Sequence, residues 1–258
     1  MLLGPVHAWA GAVLFIYPTM IMFDGGERSA TITLTNRGDA TGTFETSWSE
    51  LAMADEGGLI KVEGDTPWSV QPYVRYSPRR VTLEPEESQI IKIALRRDRE
   101  APEGEYYSHF KILTLNSADL DKTGEAPAST AGVTIRARSA VAIPIIWRNS
   151  QSSPDATIES VDIDRDANQL NVGVRRNGKL SVRGYLHVLG KAPDGTRSEL
   201  AEPVPLIIYP SIDQRVTAIT LNEGIVAASL AEDTEVIYAT ELNLVNQDTI
   251  LASYPVVP

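Results

Sequence analysis

Ser29–Asn36 reads Ser-Ala-Thr-Ile-Thr-Leu-Thr-Asn, with Ala30, Ile32 and Leu34 on one parity and Thr31, Thr33 and Thr35 on the other. Successive side chains of an extended chain point to opposite faces, so this alternation predicts a strand with one buried face. Threonine suits the wet face because its branched Cβ favours the extended backbone. Asp24-Gly25-Gly26-Glu27 before the strand and Asn36-Arg37-Gly38-Asp39 after it are turn clusters, since glycine and asparagine tolerate the positive φ of a reversal. Thr41 to Trp48 then reads as the returning strand.

The same pattern continues outward through Arg79–Leu83, the turn Glu84-Pro85-Glu86-Glu87, Gln89–Leu95 and Glu105–Leu115. It resumes in Ala156–Asp162, Leu170–Arg176, Leu180–Leu189, Val204–Tyr209, Arg215–Leu221 and Val236–Val245, with turns at Asn177-Gly178 and Asp194-Gly195 and a last strand in Thr249–Pro258. Short strands between frequent turns predict an all-β fold of the sandwich or barrel type. Arg148-Asn149-Ser150-Gln151-Ser152-Ser153-Pro154 is a polar linker of the kind that separates domains. The expected division is 11–148 and 149–258, each of a size that suits an immunoglobulin-like sandwich.

The 258 residues are 43% hydrophobic and 22% charged, an ordinary globular composition. Lysine and arginine total 23 against 34 acids, a net charge of −11 that repels a phosphate backbone and argues against a nucleic-acid partner. Cysteine is absent, which excludes disulfides, thiolate nucleophiles and cysteine metal sites without fixing the compartment. No apolar run is long enough to span a bilayer, so no membrane insertion is expected. Met1–Ala10, MLLGPVHAWA, reads as the remnant of an export signal ending in a small-x-small triplet; the alternative is an apolar first strand over Val6–Ile16.

A search for chemistry returns little. The three histidines, His7, His109 and His187, stand in apolar or strand contexts that suit structural roles. No nucleophile elbow, zinc-protease motif, phosphate loop or dinucleotide fingerprint occurs. Asp162, Asp164, Asp166 and Asn168 imitate the start of a calcium loop, but Ala167 replaces its glycine and Gly173 its closing glutamate. A glycosidase could draw on two of the acids, yet none sits in an apolar context that would raise its pKa. The expectation is a protein that is not an enzyme and needs no metal or cofactor.

Val133–Trp147, VTIRARSAVAIPIIW, is the unusual element. One parity runs Val133, Ile135, Ala137, Ser139, Val141, Ile143, Ile145, while the other opens with Thr134, Arg136 and Arg138 and carries Pro144 late. The strand would span roughly 40 Å, well beyond the usual five or six residues. Asn116–Gly132 before it is small and polar, a long loop. A long alternating strand with open backbone groups is a template for a second chain. The alternative is a strand wholly buried in its own domain.

Several segments resemble the periplasmic chaperones of the chaperone–usher pathway that assemble pili. They are Tyr17-Pro18-Thr19 leading to Met22-Phe23-Asp24-Gly25, the Ser29–Asn36 strand with Arg37-Gly38, Tyr76-Ser77-Pro78-Arg79-Arg80-Val81-Thr82-Leu83-Glu84-Pro85, and Tyr106-Tyr107-Ser108-His109-Phe110. The loop and the Val133–Trp147 strand fall where that family keeps its variable loop and donor strand. The resemblance implies two immunoglobulin-like domains in tandem, set at an angle, a periplasmic location, and pilin subunits and an outer-membrane usher as partners. It also implies that the chaperone lends its long strand to a subunit whose own fold lacks one. Here the lending residues would be Val133, Ile135, Ala137 and Ser139.

Many members of that family hold the subunit's terminal carboxylate with an arginine and a lysine, and at the aligned places this sequence has Met20 and Pro144. Neither donates to a carboxylate. Arg136 and Arg138, on the parity of Pro144, or the group Arg75, Arg79 and Arg80, would be the substitutes. A second functional reading is an exported structural or adhesive two-sandwich protein of a surface appendage.

Overall fold

The computed structural model describes residues 11–115, 139–191, 197–227, 230, 232–243 and 247–256. The expected signal remnant, the long loop, the Asp194-Gly195 turn and Val133, Ile135, Arg136, Ala137 and Arg138 lie outside the described residues. The chain is all-β, with no α-helix among the described residues, and forms two compact units.

The first unit is a sandwich. One sheet orders β1 (Leu14–Tyr17), β3 (Ser29–Asn36), β9 (Ser88–Leu95) and β7 (Val74–Ser77) side by side. The other orders β2 (Ile21–Asp24), β11 (Ala140–Asn149), β10 (Gly104–Leu115), β4 (Gly42–Ser49) and β8 (Arg80–Leu83). β3 occupies the predicted span, and its Ile32 and Leu34 are fully buried against Ile91, Ile93, Phe44 and Phe110. Phe23 from β2 and Ile145 and Trp147 from β11 join the same core.

The two outer strands of this sandwich change sheets. β1 pairs with β3, yet after Pro18 the chain continues as β2 beside β11. Likewise β7 pairs with β9, and after Pro78 the chain continues as β8 beside β4. Proline has no N–H to give a ladder, so a strand that reaches one is free to leave its partner. Buried Asn36 ties the corner: its Nδ2 donates to the carbonyls of Ala40 (2.7 Å) and Leu83 (3.1 Å), and its Oδ1 accepts from the N–H groups of Val13 (3.2 Å) and Gly38 (3.0 Å).

The second unit also has two sheets. One runs β12 (Asp155–Asp164), β13 (Gln169–Asn177), β17 (Gln214–Thr220). The other runs β15 (Arg197–Glu199), β14 (Val182–Lys191), β18 (Glu235–Ala239), β19 (Ile250–Pro255), with β16 (Val204–Ile208) also on β14. Val172, Val174, Leu186, Val188, Leu206 and Tyr238 are among its buried core. The predicted strand over Val236–Val245 is shorter in the structure: the β18–β19 register slips between Tyr238 and Ala239, and the Thr240 N–H turns to the carbonyl of Thr249.

A hairpin that the alternation does not reveal, β5 (Leu51–Met53) with β6 (Leu59–Lys61), belongs to this second unit, as do Glu103–Glu105. The Met53 N–H donates to Ser211 Oγ at 3.0 Å. The hairpin turn passes over Arg215 at Gly57, where φ is +89° and an added Cβ would lie 2.0 Å from the guanidinium. The positive φ favours glycine there, whereas the guanidinium, at the end of a flexible side chain, could move aside.

Candidate functional site

The candidate site is the upstream end of β11. Ile143, Ile145 and Trp147 share one face and are buried, and Trp147 packs against the rings of Tyr73 (4.8 Å) and Tyr106 (5.2 Å), which also touch each other. Burial, reinforced by Tyr73, pushes the Tyr106 phenol above its usual range, in keeping with the proton it gives to the Pro102 carbonyl at 2.8 Å. Two residues upstream of Ile143 on the same face, exposure rises from 3% to 43% at Val141. Ser139, the next residue of that parity, is exposed too. The apolar face of β11 therefore extends past the core that its downstream half completes.

The ladder shows the same boundary. β2 lies parallel to β11, with Ile21 opposite Ile145 and Asp24 opposite Arg148, and among the described residues this pairing reaches no farther upstream than Ile145. On the other side the strand keeps its neighbour, the Thr114 N–H of β10 donating to the Ser139 carbonyl at 3.0 Å. One edge of Ala140–Pro144 thus stands beyond the end of its β2 partner. Such an edge can accept an added strand by main-chain hydrogen bonding.

Of the residues named from sequence for strand lending, Ser139 is described and exposed, while Val133, Ile135 and Ala137 lie outside the described residues, with Arg136 and Arg138. Val141, on the same parity and not named among them, is exposed as Ser139 is. Its apolar character on the shared parity was the signal, but the parity does not say where the core ends.

Met20 and Pro144 each stand one residue before the Ile21–Ile145 pair, so the aligned anchoring positions meet at the mouth of the β2–β11 ladder. A thioether and a pyrrolidine ring offer no donor to an anion there. Farther along the ladder Arg148 pairs with Asp24 at 3.2 Å. The arginine group in the other strand is engaged locally. Arg80 meets Glu45 at 3.4 Å, Arg79 lies over the Tyr76 ring, and Arg75 donates to the carbonyls of Gln71, Pro72 and Val74.

Of the histidines and acids weighed for chemistry, the described ones are held by local partners. His187 is fully buried, with Nδ1 2.8 Å from Glu199 and Nε2 3.3 Å from the Glu241 carbonyl, and His109 is buried against the Tyr107 ring. The Asp162–Asn168 stretch closes as a turn in which Asp164 Oδ1 accepts from the N–H groups of Asp166 and Ala167. Asn168 there holds the Ile225 carbonyl and the Ala227 N–H with its side chain. Among the described residues no group of acids and histidines is arranged to hold a metal ion, and no helix is long and apolar enough to cross a membrane.

No protein-family profile matches the sequence, and no curated protein sequence matches it. Solved structures do. A chain of the chaperone–tip adhesion subunit pre-assembly complex CsuC–CsuE, from the archaic chaperone–usher Csu pili of Acinetobacter baumannii, is similar over 90% of this chain and 95% of its own, at 12% identity and a TM-score of 0.51. The Pseudomonas aeruginosa CupB2 chaperone matches over 87% of this chain and 92% of its own, at 13% identity and a TM-score of 0.47. The E. coli chaperone DraB matches over 96% and 99%, at 12% identity and a TM-score of 0.46. The similarity to the Csu structure shows that the fold is the two-sandwich fold found among pilus chaperones.

Proposed function

We propose that this protein is a periplasmic chaperone that binds incomplete pilin subunits by lending them the upstream part of its long strand. The observation that carries the reading is the passage from buried Ile143 to exposed Val141 on one face of β11. An apolar face that continues beyond its own core is costly in water, at about 25 cal/mol per Å² of apolar surface left uncovered. A subunit with an open groove would cover it. In this reading Val133, Ile135, Ala137, Ser139 and Val141 enter successive pockets, main-chain bonds along the Ala140–Pro144 edge add affinity, and alternation sets the register. The similar Csu structure is a chaperone caught with a tip adhesion subunit before assembly, which fits a job done by binding and without turnover.

The absence of a cation at Met20 and Pro144 makes Arg136 and Arg138 the proposed holders of a subunit carboxylate. Delivery to an outer-membrane usher completes the proposed cycle.

Co-expression with a pilin from the same cell tests the whole reading. A soluble one-to-one complex in which the pilin resists protease is the expected result. Equal degradation of the pilin with and without this protein overturns the reading and favours a structural protein of the appendage. Charge reversal at Arg136 and Arg138 together should weaken the complex at least tenfold; unchanged affinity removes both as anchors.

A further inference from the structure

Gly11 to Phe23 contains no charged residue, in a chain whose net charge is −11. Within this run β1 is the outermost strand of its sheet among the described residues, with β3 on one side and no described strand on the other. The Val13 N–H bonds to Asn36 Oδ1, and the Val13 carbonyl accepts from the Arg37 N–H at 2.7 Å, so the main-chain groups of Val13 face β3. Backbone direction alternates along an antiparallel strand, so Phe15 and Tyr17 also turn theirs toward β3, while Leu14 and Ile16 point theirs away from it, along an edge with no described neighbour.

Edge strands are usually protected by a lysine, a bulge or an internal proline. Leu14–Tyr17 has none of these, and the side chains on its outer face are exposed: Val13 by 45%, Phe15 by 52% and Tyr17 by 68%.

We propose that two copies of this protein join through this edge, β1 against β1 in antiparallel array about a two-fold axis passing through Phe15. In that register Leu14 lies opposite Ile16 of the second copy, and the outward main-chain groups of the two residues satisfy one another on both sides of the axis. The exposed side chains match as well: Phe15 meets Phe15, and Val13 meets Tyr17. The strand is thus complementary to itself, as a two-fold interface demands. Charge selects the same partner, because two strongly acidic chains repel least where both surfaces carry no charge. A basic or acidic partner would gain nothing from this strip.

The absence of cysteine makes the register directly testable by single substitutions in the whole protein, with no subunit present. On the axis, Phe15→Cys brings two thiols onto facing residues whose Cα atoms stand roughly 4.5 Å apart, within disulfide reach. Tyr17→Cys is as exposed but lies roughly 13 Å from its own copy, and it should cross-link only when Val13→Cys is added. The expected result is intermolecular disulfide formation at least ten times faster for Phe15→Cys and for the double variant than for Tyr17→Cys alone. Sedimentation should show a dimer for the unmodified protein and a monomer for Phe15→Lys, which sets two like charges on the axis. Equal cross-linking rates among the variants, or a monomer at every concentration sedimented, overturns the proposal. These measurements concern the free protein, so neither result bears on subunit binding.

Discussion

Val141 and Ile143 point the same way from one strand, two residues apart, and fall on opposite sides of the edge of the core. Downstream of this step the face is built into the protein's own core, and upstream of it Val141 and Ser139 stand exposed.

A matched pair of aspartates should separate the two roles. Val141→Asp is expected to change unfolding free energy by less than about 0.5 kcal/mol, as at most exposed positions, while lowering affinity for a pilin at least tenfold. Ile143→Asp places the same carboxylate in the core and should cost several kcal/mol, enough to abolish folding. Urea unfolding followed by tryptophan fluorescence, together with pilin pull-down, checks both. A Val141→Asp protein that unfolds as readily as Ile143→Asp would show that the site is part of the core.

Glu50 is buried and accepts hydrogen bonds from Ser69 Oγ (2.8 Å), Ser108 Oγ (2.8 Å), Thr66 Oγ1 (3.3 Å) and Gln71 Nε2. The carboxylate thus joins the end of β4 to β10 and to the 66–71 segment. Glu50→Ala would leave these donors facing a void, at a cost of about 3 kcal/mol. Glu50→Gln keeps the volume and one acceptor, and the hydroxyls can rotate to meet its amide, so its cost should be about half as large. The difference between the two urea midpoints is the measurement.

Gly184 on β14 faces the β18 backbone so closely that an added Cβ would lie 2.1 Å from the Ala239 carbonyl oxygen. Backbone on both sides cannot move without opening the β14–β18 ladder, where Tyr185 pairs with Ala239. Gly184→Ala should therefore destabilise the second unit by about 1–3 kcal/mol, seen as a lowered Tm.

Tyr238 is buried and donates its hydroxyl proton to the Leu206 carbonyl at 3.0 Å. Burial pushes its phenol well above the usual tyrosine range, against the opposing pull of Arg183 and Arg215. The folded state then holds this proton more tightly than the unfolded one. That contribution is fully present below the unfolded tyrosine pKa of about 10 and is lost as pH rises through the folded value. Stability should fall above about pH 10. Tyr238→Phe should cost about 1 kcal/mol near neutrality and flatten the alkaline decline, measured as urea midpoints across pH. An unchanged alkaline slope in the variant would assign the decline to other groups, Tyr209 among them.

The local alternation of side chains determined the class of fold and the positions of β3, β9, β10 and β13 to within a residue or so, because whether a residue faces core or water repeats with the backbone's own period of two. It also determined which face of the long strand is apolar. Tertiary structure alone decided that β1 and β2 lie in different sheets, that the β5–β6 hairpin joins the second unit, and that Glu50 and Asn36 become buried hubs. It also decided that the apolar face of β11 passes out of its core between Ile143 and Val141. Those outcomes rest on partners distant in sequence, and a side chain carries no mark of how far the opposing sheet extends above it.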